Sequence, residues 1–189
     1  MATPVGLDHR AVIEGAAELV DAQGLDALTL AALAARLGIR SQSLYAHVEG
    51  LDGLLRDLAL YAVQMLGEEL RASAIGRTRR DALVAVAGVY WSFATEHPGL
   101  YAATIRGSGN DTELAAANEH AAEALSRVLR SFGLDGTDNV HAYRAVWSGI
   151  HGFLALEHAG VLQRPASPRE SYRRMIAMFA DALERGEPV

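Results

Sequence analysis

The sequence predicts an all-α protein, and three observations support that fold class. Half of the 189 residues are apolar, alanine is abundant, and only five residues are proline. Apolar residues recur at three- and four-residue spacing, and no segment alternates strictly between apolar and polar residues as a half-buried strand does. Glycine, proline and serine interrupt this pattern often enough to divide the chain into about nine helices. We expect three helices in an N-terminal head, one long connecting helix, and the others in a C-terminal bundle.

The first three predicted helices are short and closely spaced. Apolar residues recur at helical spacing within residues 8–23, which predicts the first helix. Thr29 is the expected N-cap of the second helix, because its side-chain oxygen can accept a backbone N–H of the first turn. Gly38 supplies the turn that follows. Ser41 is predicted to cap a third helix that runs to about His47.

Longer helices are predicted for most of the remaining chain. Pro98 opens a short helix, because the residue before a proline avoids helical angles and proline suits the first helical turn. A capping box at Ser167–Glu170 begins the last helix. Turn-forming residues at Arg106–Asp111 predict a loop. The expected spans of the later helices are about 51–71, 79–96, 98–104, 112–132, 136–159 and 168–184.

Composition and charge argue against several classes of protein. The chain has no cysteine, which excludes disulfides and thiolate chemistry. No apolar run is long enough to span a membrane, and the N-terminus lacks the pattern of a signal peptide, so we expect a cytoplasmic protein without membrane partners. No glycine-rich phosphate loop, Gly-x-Ser-x-Gly motif or convincing carboxylate pair suggests an enzyme. The seven histidines include no His-x3-His pair, and we expect neither a metal nor a cofactor.

The segment from Thr29 to Val48 predicts a helix-turn-helix. Ala34 is small where two helices must approach closely, Gly38 permits the turn four residues later, and Leu44 locks the second helix against the first. The segment contains two arginines and no acidic residue, although the whole chain has a net charge of −6. A short helix held in this way can lie in the major groove, so we expect double-stranded DNA as a partner.

The order of these features resembles the DNA-binding domain of the tetracycline-repressor (TetR) family over residues 8–56. The resemblance rests on the capped second helix, the Ala-x3-Gly spacing and the run Leu44-Tyr45-x-His47. It implies a dimeric transcriptional repressor that releases its operator when a small ligand binds the C-terminal bundle. We accordingly expect a DNA-binding domain at 1–50 and a ligand-binding and dimerisation domain at 51–189.

The same resemblance implies which side chains of the head contact DNA. Those at the start of the recognition helix face base edges, where arginine can bind guanine and glutamine can bind adenine: Arg40, Ser41 and Gln42. Hydroxyl and imidazole groups contact phosphates and fix the register: Thr29, Ser43, Tyr45 and His47. The family often has a lysine where this chain has Leu51, so we expect fewer phosphate contacts and a shallower salt dependence than in lysine-bearing relatives.

A second resemblance concerns the C-terminal bundle. The run Trp147-x3-His151-Gly152 resembles the Trp-His-Gly (WHG) class of TetR-family C-terminal domains, and residues 97–101 resemble another segment of that class. In the family this bundle senses an effector, whose identity the sequence does not reveal. Ordinary core packing is the alternative for each residue that we expect to bind it: Tyr61, Met65, Tyr90, Phe93, Tyr101, Trp147 and His151.

The last helix carries an apolar stripe that predicts a homodimer interface: Met175, Met178, Phe179, Ala182 and Leu183. The alternative is that this stripe only closes its own bundle. A two-fold pair of heads matches a palindromic operator whose half-sites lie about 34 Å apart. A helical small-molecule-binding protein without sequence-specific DNA binding is the alternative function, and such a protein would retard no DNA.

Overall fold

The computed structural model describes residues 7–105 and 107–187, and within these ranges the chain forms nine α-helices, one short 3-10 helix and no strand. The prediction of an all-α fold is confirmed. No described helix is long and apolar enough to cross a membrane. The 3-10 helix covers Leu25–Ala27. The α-helices are α1 (His9–Gln23), α2 (Leu30–Leu37), α3 (Ser41–Leu44), α4 (Gly50–Ala74), α5 (Arg79–Glu96), α6 (Pro98–Thr104), α7 (Thr112–Arg130), α8 (Gly136–His158) and α9 (Pro168–Arg185).

Local capping sets several helix boundaries at the predicted residues. Thr29 Oγ1 accepts the Ala32 N–H at 3.0 Å and begins α2. The Ser167 side chain accepts the Glu170 N–H at the start of α9, where Pro168 is the first helical residue. Each cap satisfies a backbone donor that has no partner inside its own helix.

The third helix is where the local prediction was wrong. Ser41 is not its cap but its first residue, and Arg40 occupies the N-cap position without a side-chain hydrogen bond. The helix ends at Leu44 rather than near His47. Beyond it the chain continues in turns, in which the N–H groups of His47 and Val48 both donate to the Leu44 carbonyl. The predicted loop at Arg106–Asp111 is only partly described, because Arg106 lies outside the described residues.

The chain divides into two compact units. The first takes in the described residues through Gln64 together with Thr95–Ala117, and the second takes in Met65–Ala94 together with the chain from Asn118 onward. The core of the first is aliphatic and includes Val12, Leu33, Leu44, Leu54 and Leu58. The core of the second includes Leu83, Phe93, Leu125, Leu129 and Ile150. The boundary at residue 50 between a DNA-binding domain and a ligand-binding domain concerns function and not compactness, and it stays a prediction.

Candidate nucleic-acid interface

The hairpin of α2 and α3 is held by a glycine turn and a small buried core. Gly38 has φ 67°, in the left-handed region that favours glycine. The Ile39 N–H donates to the Ala34 carbonyl at 3.0 Å, which closes the end of α2. Ala34 and Leu44 are both buried. The short α3 is therefore fixed against α2 from its inner side, and its other side is left outward.

The seven side chains predicted to contact DNA are all at least partly exposed. His47 is half-buried, and the other six are exposed: Thr29, Arg40, Ser41, Gln42, Ser43 and Tyr45. Tyr45 is 63% exposed. An aromatic ring this open at the end of α3 has its hydroxyl available to a partner outside the chain.

The charge at this surface is weaker than the count of arginines suggests. Arg36 donates to the Glu18 carboxylate at 2.6 Å, so α1 contributes an acid that partly neutralises the hairpin. Arg40 is exposed at the N-cap of α3. Arg40 is consequently the better placed of the two arginines to meet a phosphate or a base.

A carboxylate of α1 caps the short helix α6. Asp21 Oδ1 accepts the N–H groups of Gly99 and Leu100, each at 3.0 Å, and Oδ2 lies 2.7 Å from His97 Nδ1. A Cβ on Gly99 would stand 2.2 Å from the backbone carbonyl of Val20, so the two helices touch backbone to backbone. This contact, which we call the α1–α6 clasp, fixes α6 directly to the first helix of the head.

A second polar cluster joins α4 to the beginning of α7. The Arg56 guanidinium donates to both oxygens of Asp111, at 2.6 and 3.2 Å, and also to Asp57 and Glu113. The hydrogen bonds that Arg56 and the Leu114 N–H donate to Asp111 lower the pKa of this carboxyl to about 2. Asp57 also accepts a hydrogen bond from the ring of His9 in α1. The cluster thus ties three helices of the first unit together.

The residues predicted to bind an effector fall in both compact units. Tyr61 and Tyr101 belong to the first unit, where Tyr61 lines a cavity of about 290 Å³ beside Arg56 and Tyr101 is buried. Met65, half-buried, and Phe93, buried, belong to the second unit.

Three of the predicted effector residues form one aromatic cluster in the second unit. The His151 ring centroid lies 4.4 Å from that of Trp147 and 5.4 Å from that of Tyr90. Burial lowers the pKa of His151 to about 4, which keeps the imidazole neutral near pH 7. Tyr90 and His151 are buried, so these rings pack against one another inside the second unit around a neutral imidazole.

The predicted dimer residues of α9 differ in exposure. Met178 is 70% exposed, and Met175, Phe179 and Ala182 are half-buried. Leu183 is buried within its own chain. A Cβ on Gly149 would stand 2.9 Å from the Phe179 ring, so this glycine of α8 permits close packing of α8 and α9 within the protomer.

Two family models match this chain. The model for bacterial regulatory proteins of the tetR family matches residues 12–58. The model for the tetracyclin repressor-like C-terminal domain matches residues 83–179, a range that contains the cluster around His151. The chain therefore belongs to the TetR family of DNA-binding transcriptional regulators, a family of regulators rather than of enzymes.

Individual relatives agree with this assignment. The uncharacterised HTH-type transcriptional regulator Rv0681 of Mycobacterium tuberculosis is 40% identical over 187 residues, which are 98% of this chain and 85% of the relative. A protein of unknown function from Rhodococcus sp. RHA1 has the same fold, with a TM-score of 0.77, 20% identity and full coverage of both chains. A TetR variant from Acinetobacter baumannii AYE, solved in complex with minocycline, gives a TM-score of 0.69 at 25% identity and covers 97% of this chain and 99% of its own.

The role of Asp21 in the α1–α6 clasp and that of Arg56 in the cluster with Asp111 were not predicted from the sequence. One local signal pointed toward the clasp: α6 begins with proline after a histidine, and histidine is not a preferred N-cap residue. The N–H groups of the first turn therefore needed an acceptor from elsewhere in the chain. No comparable signal marked Arg56, because its carboxylate partner Asp111 lies 55 residues away.

Proposed function

We propose that this protein is a homodimeric repressor that binds a palindromic operator and releases it when a small molecule binds the C-terminal bundle. The observation that carries the proposal is the outward display of Arg40, Gln42 and Tyr45 along one short helix whose inner side is fixed by Leu44. A recognition helix must be rigid on one side and polar on the other to insert into the major groove. Because an operator lies on chromosomal DNA, the proposed place of action is the cytoplasm.

Each DNA-facing residue has a role in this proposal. Arg40, Ser41 and Gln42 bind base edges, and Thr29, Ser43, Tyr45 and His47 bind phosphates. Thr29 suits its role, because its oxygen already accepts the Ala32 N–H and its proton can be donated to a phosphate. The N-terminus of α2 lies beside it and favours the same anion.

Exposed apolar side chains on α8 and α9 support dimerisation. Leu156 of α8 is 50% exposed, and Met178 of α9 is more so. We propose that these two helices pack against the same pair of a second protomer, with Met175, Phe179 and Ala182 at the interface. Leu183, which is buried in its own protomer, supports this surface from behind.

The proposed effector response is a population shift. An effector bound within the second compact unit, by residues that include Met65, Tyr90, Phe93, Trp147 and His151, favours one arrangement of α4 and moves the two heads away from the spacing of one helical turn. The α1–α6 clasp supports this mechanism, because a displacement of α6 is passed to α1 through hydrogen bonds and backbone contact.

A gel-shift experiment on DNA that flanks the protein's own gene tests the proposal. We expect the wild-type chain to retard this DNA, and Gln42→Ala and Tyr45→Ala to abolish the shift without unfolding the protein. Gln163→Ala, in the second compact unit, is the control and should bind as the wild type does. Retardation that is equal for both head variants and wild type would contradict the assignment of the recognition helix. No retardation by any form would favour the small-molecule-binding alternative.

A further inference from the structure

A groove of about 400 Å³ lies between α5 and α9 in the second compact unit. Its apolar surface comes from Val84, Ala87, Gly88 and Trp91 of α5 and from Ile176 and Ala177 of α9. The described residues that line it include none of those predicted to bind an effector or to form the dimer interface. The groove is therefore a feature that the proposed function leaves unused.

The floor of this groove is rigid. The Tyr172 hydroxyl donates to the Ala87 carbonyl at 2.8 Å and joins α9 to α5 beneath the cleft. The Trp91 ring lies 5.2 Å from the Tyr172 ring, between centroids. A cleft that is formed before a ligand arrives costs little ordering entropy on binding.

Gly88 in the middle of α5 is explained by an open groove. Glycine is the poorest helix former after proline, yet Gly88 is exposed and a Cβ there would meet no atom within 4 Å. Close helix packing, the usual reason for a glycine inside a helix, therefore does not apply. Since Gly88 lines the cleft, any longer side chain at this position projects into it.

Charge differs between the two ends of the groove. At one end Arg80 is neutralised by Asp181 and Glu184, the latter at 3.0 Å. At the other end, beside Trp91, stand Arg169 and Arg173.

The second end carries an excess of positive charge. The Glu170 carboxylate accepts hydrogen bonds from both Arg173 and Arg174, so a single negative charge is shared between two arginines. The positive end of the α9 dipole adds to the potential there.

We propose that this groove binds an amphipathic carboxylate. Its carboxylate pairs with Arg169 and Arg173, and its apolar body lies over Gly88 toward Val84 and Ile176. Arginine favours a carboxylate because its planar fork can donate two parallel hydrogen bonds. Neither DNA binding nor an effector response is required for this binding.

Isothermal titration calorimetry of the full chain with decanoate, below its micelle concentration, tests the proposal. We expect decanoate to bind at least about tenfold more tightly than decanol, since the alcohol lacks the charge that the arginines recognise. Gly88→Leu, which fills the cleft, should abolish binding. The double variant Arg169→Ala/Arg173→Ala should weaken it by at least about tenfold.

Two matched controls separate the groove from general effects. Gly88→Ala adds only a methyl group and should still bind decanoate. Arg174→Ala removes a neighbouring arginine that does not line the cleft, so this variant should also still bind decanoate. In Trp147→Phe, the remaining Trp91 should report binding through a change in fluorescence. Absence of decanoate binding to wild type, equal affinity for decanol, or undiminished binding by Gly88→Leu or by the double arginine variant would overturn the proposal.

Discussion

The carboxylate of Asp21 in α1 lies 2.7 Å from Nδ1 of His97, the residue that precedes α6. The same carboxylate accepts two N–H groups of the first turn of α6, so a residue 78 positions upstream of Gly99 serves as the cap of that helix.

Removal of the Asp21 carboxylate should destabilise the protein. We expect Asp21→Ala to lower the free energy of unfolding by about 1–3 kcal/mol, because two N–H groups and His97 lose a partly buried acceptor. Asp21→Asn keeps one acceptor oxygen and should recover part of the loss. Urea denaturation measures both, and Asp26→Ala, at an exposed position, should stay within about 0.5 kcal/mol of wild type. Equal stability of Asp21→Ala and wild type would show that the clasp contributes nothing.

Glycine-to-alanine changes at two helical positions should have opposite effects. Gly99→Ala places a methyl group 2.2 Å from the Val20 backbone, which cannot move aside easily, and should cost about 1–3 kcal/mol. Gly88→Ala meets no atom within 4 Å and should stabilise the fold by up to about 1 kcal/mol through helix propensity. Thermal unfolding of the two variants checks both signs. A Gly99→Ala protein that melts with or above wild type would refute the backbone contact.

Burial of His151 predicts that stability declines on acidification. Its folded pKa of about 4 lies below the usual value near 6.5, so the unfolded chain binds the extra proton first as the pH falls. This contribution to stability is intact above about pH 6.5 and is lost progressively toward pH 4, by about 3 kcal/mol in all. His151→Phe cannot take up that proton, so its denaturation midpoint should vary less with pH across this window. A pH dependence identical to that of wild type would exclude His151 as the cause.

Leu51 at the start of α4 predicts a shallow salt dependence of operator binding. Introduction of a charge by Leu51→Lys should add one phosphate contact per protomer and tighten binding at low salt. The slope of log K against log salt concentration should become steeper by about 0.9 per added contact. Leu51→Gln, polar but uncharged, is the control. If the slopes of log K against log salt concentration were equal for the lysine and glutamine variants, residue 51 would not lie close to a phosphate.

Much of the local structure of this protein was predictable from its sequence. Thr29, Gly38 and Ser167 determine helix boundaries through hydrogen bonds or dihedral angles that involve only residues a few positions away. The spacing of apolar residues likewise selects the buried face of each helix. Such short-range interactions depend only on residues that are close in the chain, so the all-α fold and the helix-turn-helix could be predicted from the sequence.

Other features were decided only when the helices packed together. The sequence indicated neither that Glu18 pairs with Arg36 nor that Asp21 caps a helix 78 positions away. The cleft beside Gly88 likewise exists only because α5 and α9 meet. Each of these depends on which helical faces come into contact, and that choice minimises the free energy of the whole chain rather than of any local segment.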